Sequence, residues 1–200
     1  HCGHLGAFSA ATPNAIALDK RINGALSISR LMASILVCPN TKCRGIVLVV
    51  RDSEHVLLVQ PPQRMDFQPE DIPESLAAAL AEAIACHAVG ANRAAAMMVR
   101  RLLEEVCAEA GASGDNLHQR IVSLRTQITL PTELFDAMNE LKALGNDAAH
   151  IEAKAYEYIG PEEASDSIVL AKEILKARYQ LKGLVDRLKS RRKSTPGNEP

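Results

Sequence analysis

The residues most able to do chemistry stand in one short run, Gly145-Asn146-Asp147-Ala148-Ala149-His150. Gly, Asn and Asp are poor helix residues, so a helix interior seldom holds them together. Here they follow an apolar helical pattern of Leu134, Phe135, Met138, Leu141 and Leu144, which Gly145 is expected to interrupt. His150 lies four residues after Asn146, so the two share a face if the helix continues. An imidazole beside an amide can be held in one tautomer and serve as acid, base or hydrogen-bond donor to a phosphate oxygen. The same run also reads as plain architecture, with Gly145 a C-cap, Asn146 a turn residue and His150 the cap of the next segment.

A second cluster is Arg100, Arg101 and Glu104. A fixed cation near an acid–base group would stabilise a phosphodiester transition state. Arg100 and Glu104 also have the i,i+4 spacing of an ordinary solvated ion pair.

A third is Cys38-Pro39-Asn40-Thr41-Lys42-Cys43-Arg44-Gly45. Two thiolates on a tight turn before a strand suit one knuckle of a tetrahedral zinc site. Cys2-Gly3 looks like the end of a second knuckle, and His1 and His4 are the other nearby nitrogen donors. Cys2, Cys38 and Cys43 are thus the candidate ligands of a structural zinc; otherwise they are loop thiols. Cys86 and Cys107 lie on apolar helical stripes and are expected in the core.

The elements that must position these groups change character near residue 70. Before it, residues 46–50 and 55–59 are apolar, largely β-branched runs that predict a hairpin, with a third strand at 35–37. Residues 12–34 carry no decisive pattern. After it the chain is rich in Ala, Leu and Glu. Asp71, Pro73 and Glu74 predict a capped helix start. Further helices are expected over 92–110, over 117–128, from Pro131, and from Gly160-Pro161-Glu162-Glu163 through Leu188. The organisation predicted is a small β-rich, zinc-ribbon-like segment over 1–62, a linker over 63–70, a helical bundle over 71–190 and a disordered tail over 191–200.

Composition narrows the functions. With no Trp, three Phe and three Tyr, the chain lacks the rings for a base-stacking platform. A net charge of −1 is not that of a general polyanion binder. The stretch from Lys172 to Lys193 is nonetheless strongly basic, which suits either a helix C-terminus or a phosphate backbone. No apolar run is long enough to span a membrane. The start is not that of a signal peptide, and its lack of Met fits a beginning inside a longer sequence. Five cysteines in a chain this size point to a reducing, cytoplasmic setting.

Two segments together carry a family resemblance. Ala94-Ala95-Ala96-Met97-Met98-Val99-Arg100-Arg101-Leu102-Leu103-Glu104 and Leu141-Lys142-Ala143-Leu144-Gly145-Asn146-Asp147-Ala148-Ala149-His150 resemble the bacterial domain-of-unknown-function 4145 family. That family is similar to the HEPN superfamily of small helical bundles, often dimeric, many of them metal-independent ribonucleases of defence or RNA-processing systems. The resemblance implies a mainly α, HEPN-like antiparallel bundle with a zinc-ribbon-like appendage. It implies that His150 and Asn146 bind or cleave RNA, and that two copies pair. The alternative is a non-catalytic dimerisation and protein-interaction module with a degenerate motif. One departure favours that alternative. The superfamily's motif Arg would fall at Gly145, Leu144 or Ala143, none of them basic, and Lys142 lies one step too far. Arg100 or Arg101 would have to enter from the preceding helix.

Overall fold

The computed structural model describes residues 7–11, 16–22, 25–62, 64–150, 156 and 158–193. Cys2 and its flanking histidines, and the segment 194–200, lie outside these. The chain divides into two compact units, residues 1–66 and 67–200.

The first unit is an antiparallel sheet of five strands: β1 (Ser9–Ala10), β2 (Ile16–Ile22), β3 (Ala25–Val37), β4 (Ile46–Arg51) and β5 (Val56–Gln60). Long β3 is the spine. It pairs with β4 along one edge, from Met32 opposite Arg51 to Val37 opposite Ile46. Its other edge takes β2 and then β1. β4 and β5 form the expected hairpin, turned by Asp52, whose carboxylate accepts the amides of Glu54 and His55. The third strand, expected at three residues, is thirteen long. Its N-terminal half does alternate apolar and polar residues, Leu26-Ser27-Ile28-Ser29-Arg30, a strand signal that the reading of residues 12–34 did not use.

The second unit is built around α2 (Asn92–Glu109), against which α1 (Glu74–Ala88), α3 (Leu117–Gln127), α4 (Thr132–Ala149) and α5 (Pro161–Leu175) all pack. α2 buries Ala95, Ala96, Val99, Leu102, Leu103, Val106 and Cys107, a stripe at helical spacing. Asn116 caps α3 by accepting the Gln119 amide at 3.0 Å. Gly160 and Pro161 open α5, and the Gly160 amide donates to Glu163 Oε2 at 2.9 Å, the return half of a capping box. The expected cap at Asp71 does not form. α1 starts at Glu74 behind Pro73 with no side-chain cap, and the Asp71 carboxylate instead accepts the guanidinium of Arg187.

The single long helix expected from Pro161 to Leu188 is two helices joined by a π-helical turn, Lys176–Gln180, which leads into α6 (Leu181–Lys193). A π turn holds one extra residue, so the faces on either side are offset by about 100°. The core stripe therefore ends at Leu175, and Leu181, Leu184, Val185 and Leu188 of α6 are exposed. α6 also runs to Lys193, so residues 191–193 are helical where a disordered tail was expected.

Candidate functional site

α4 does not break at the polar run. It continues through Gly145, Asn146 and Asp147 and ends at Ala149, with extended His150 as its C-cap donating its amide to Asn146 O at 3.0 Å. A glycine is tolerated there because α2 lies directly against it. A Cβ built on Gly145 would come within 2.5 Å of Arg100 Cβ and 3.1 Å of the Ala96 carbonyl oxygen. The small pair Ala96 and Gly145, both buried, sets how closely the two helices cross.

That crossing sets Arg100 of α2 against α4. Arg100 lies over Gly145, and its Nη1 donates to the Lys142 carbonyl at 3.2 Å. Its Nε is 3.5 Å from Glu104 Oε1. The guanidinium is thus tied to a mid-helix carbonyl on one side and balanced by a carboxylate on the other. Arg101 belongs elsewhere: its side chain is 66% exposed and pairs with Glu105 at 3.0 Å. Asn146 and His150 are both exposed, and among the described residues neither side chain has a hydrogen-bond partner. Arg100 thus meets the run at Gly145 and Lys142, and among the described residues no bond joins it to Asn146 or His150.

One residue of the run has a role that sequence reasoning missed. Asp147 Oδ2 accepts the Tyr156 amide at 2.6 Å. Tyr156 in turn donates its phenol to Glu140 Oε2 at 3.1 Å and packs with Ala148 against Ala96, Leu144 and Ile159. Partial burial first, then the bond to Glu140, raise the Tyr156 phenol above its ordinary value. The available signal was an acidic residue in a helix's last turn, where the dipole disfavours it unless an amide meets it.

The cysteine turn is compact. Cys38 donates its amide to Gly45 O at 2.9 Å, and the amides of Cys43 and Arg44 both reach Asn40 O. The Gly45 amide lies 3.4 Å from Cys43 Sγ, a donor suited to a thiolate sulfur. The turn carries two of the candidate thiols, Cys38 buried and Cys43 half-buried, and a closed tetrahedral site needs four ligands. Among the described residues no group of three or more His, Cys, Asp or Glu is placed to hold a metal ion. Cys107 is a core residue as expected, and burial pushes its thiol up to about 11. Cys86 is only partly buried.

Fold and site together define a helical domain organised on a central helix, with a polar run closing one crossing, and, as a separate unit, a small antiparallel sheet. Residues 81–191 match the family described as Domain of unknown function (DUF4145), and the chain belongs to that family. No curated protein and no solved structure matches the chain. Among the described residues no helix is long and apolar enough to cross a membrane.

Proposed function

We propose that the helical unit is a non-catalytic dimerisation and protein-interaction module built on a degenerate HEPN-like motif. The observation that carries this is the state of Arg100. It fills the space over Gly145, donates to the Lys142 carbonyl and faces Glu104. A cation spent on holding two helices together is poorly placed to meet the charge that develops on a phosphate. Asp147 is likewise committed, to the Tyr156 amide. The polar run then serves to lock α2 to α4 and to dock the segment leading to α5.

The ribonuclease reading keeps one specific observation in its favour. Asn146 and His150 are solvent-exposed at the end of α4, so an RNA could reach them. Cleavage of a generic single-stranded RNA in the presence of a metal chelator separates the two. The wild-type chain is expected to match the protein-free control, and His150→Ala to match both. Chelator-resistant cleavage that disappears in His150→Ala would establish the enzyme instead.

For the sheet unit we propose a structural zinc held by Cys38 and Cys43, with Cys2 as a further ligand. The tight turn and the amide aimed at Cys43 Sγ support it. Elemental analysis of the purified chain should give one zinc per chain, lost in Cys38→Ser and in Cys43→Ser. A metal-free wild type would remove the ion from this account.

A further inference from the structure

α6 presents an apolar stripe left largely open by the described residues of its own unit. Leu181, Leu184, Val185 and Leu188 follow i, i+3, i+4, i+7 spacing and are 40–59% exposed. Among the described residues, α6 comes close to no helix or strand except the π-helical turn it continues. The reason is length. From Pro161 to Lys193 the helical path is about 50 Å, whereas the neighbouring helices of 15–18 residues reach only about 22–27 Å. The last turns overhang the bundle.

The base of α6 opens onto a groove of about 840 Å³ between the start of α4 and the π-helical turn. Leu134, Ala177, Leu181 and Leu184 give it an apolar lining. Its rim carries four carboxylates, Glu70, Asp71, Glu133 and Glu173, against two cations, Lys176 and Arg187. Both cations already pair on the rim, Lys176 with Glu173 at 2.7 Å and Arg187 with Asp71. Glu70 and Glu133 leave the rim with a net negative charge. The shape and charge call for an amphipathic, basic helix. The chain itself carries one, since α6 flanks its apolar stripe with Lys182, Arg187, Lys189, Arg191 and Arg192 against a lone Asp186.

We propose that α6 pairs antiparallel with the α6 of a second copy across a two-fold axis near Leu184 and Val185, each helix covering the other's stripe and groove. Antiparallel pairing sets Leu188 of each copy beside Leu181 of the other. It carries the basic last turn of one copy, Arg192 included, toward the acidic rim of the other. The contact is isologous, so it closes as a dimer rather than growing. It rests on the reading of the helical unit as a dimerisation module and names the surface that reading lacks.

Sedimentation equilibrium of the full 200-residue chain tests it, and the readout is independent of any RNA cleavage. The wild type is expected at twice the 21.6 kDa chain mass. The double substitution Leu184→Asp, Leu188→Asp would bury two carboxylates from each copy in the seam. It is expected to weaken association at least ~100-fold, giving monomer with an unchanged helical signal, since both side chains are exposed in the single chain. Glu133→Lys, a surface change, is expected to weaken association by roughly 10-fold, and Arg192→Glu in the same chain to restore it. A wild type that stays monomeric at the highest attainable concentration overturns the proposal, as does a double variant that keeps the dimer mass. A Glu133→Lys chain that associates like the wild type overturns the antiparallel placement. RNA cleavage by a wild-type dimer would remove the module reading while leaving this interface standing.

Discussion

Gly145→Val should destabilise the helical unit by about 3 kcal/mol or more, read as a shift in the urea midpoint with an unchanged slope. The added Cβ alone would sit 2.5 Å from Arg100 Cβ and 3.1 Å from Ala96 O. Neither neighbour is the free end of a flexible chain: one is the first side-chain carbon of a helical residue and the other is backbone. Relief therefore requires α2 and α4 to separate, which also disturbs the Arg100 bond to the Lys142 carbonyl. Gly145→Ala is the sharper control. Its gain in helix propensity is about 1 kcal/mol, set against an overpacking cost of about 1–3 kcal/mol. The net expectation is a loss. A stability gain in Gly145→Ala would mean that the two helices do not approach as described, and the structural role given to the polar run would fail with it.

Leu102→Ala should cost about 3–5 kcal/mol, from lost transfer energy plus an unfilled cavity. Leu102 is 1% exposed on α2, the helix that α1, α3, α4 and α5 all touch. Neighbours on several sides leave little freedom to collapse onto the space. A unit with ordinary marginal stability would retain little of it, so the variant is best compared with wild type by thermal unfolding at low temperature ramp. A loss under ~1 kcal/mol would show that α2 is not the organising helix.

Much of the bundle was readable beforehand because its helices are amphipathic and well punctuated. Leu117, Ile121 and Leu124 repeat at helical spacing behind Asn116, and Gly160-Pro161 announces α5. Helix ends marked only by residue preference fared worse. Asp71 looks like a cap, yet its carboxylate turns to Arg187, over a hundred residues away, because a buried or paired charge outweighs a local capping bond. The run 145–150 misled in the opposite sense. Propensity argues for a break at Gly145, but the cost of one glycine in a helix is about 1 kcal/mol, and the close α2 crossing repays it. The same crossing brings Arg100 to the run, a pairing 45 positions apart that no local pattern encodes.

Residue order alone pointed to a strand-rich start, a helical remainder and the apolar stripes of α1 to α5, because each depends on periodicity within a few turns of chain; the family came from the likeness of residues 94–104 and 141–150 to it. Tertiary packing decided the rest. Gly145 became a contact point and not a helix end because α2 lies against it; Asp147 became an anchor because Tyr156 folds back onto it. The apolar stripe of α6 faces outward because a π turn rotates it and the bundle is too short to reach it. These outcomes turn on which distant groups come within a few ångströms, and that is a property of the assembled helices, not of any stretch of sequence.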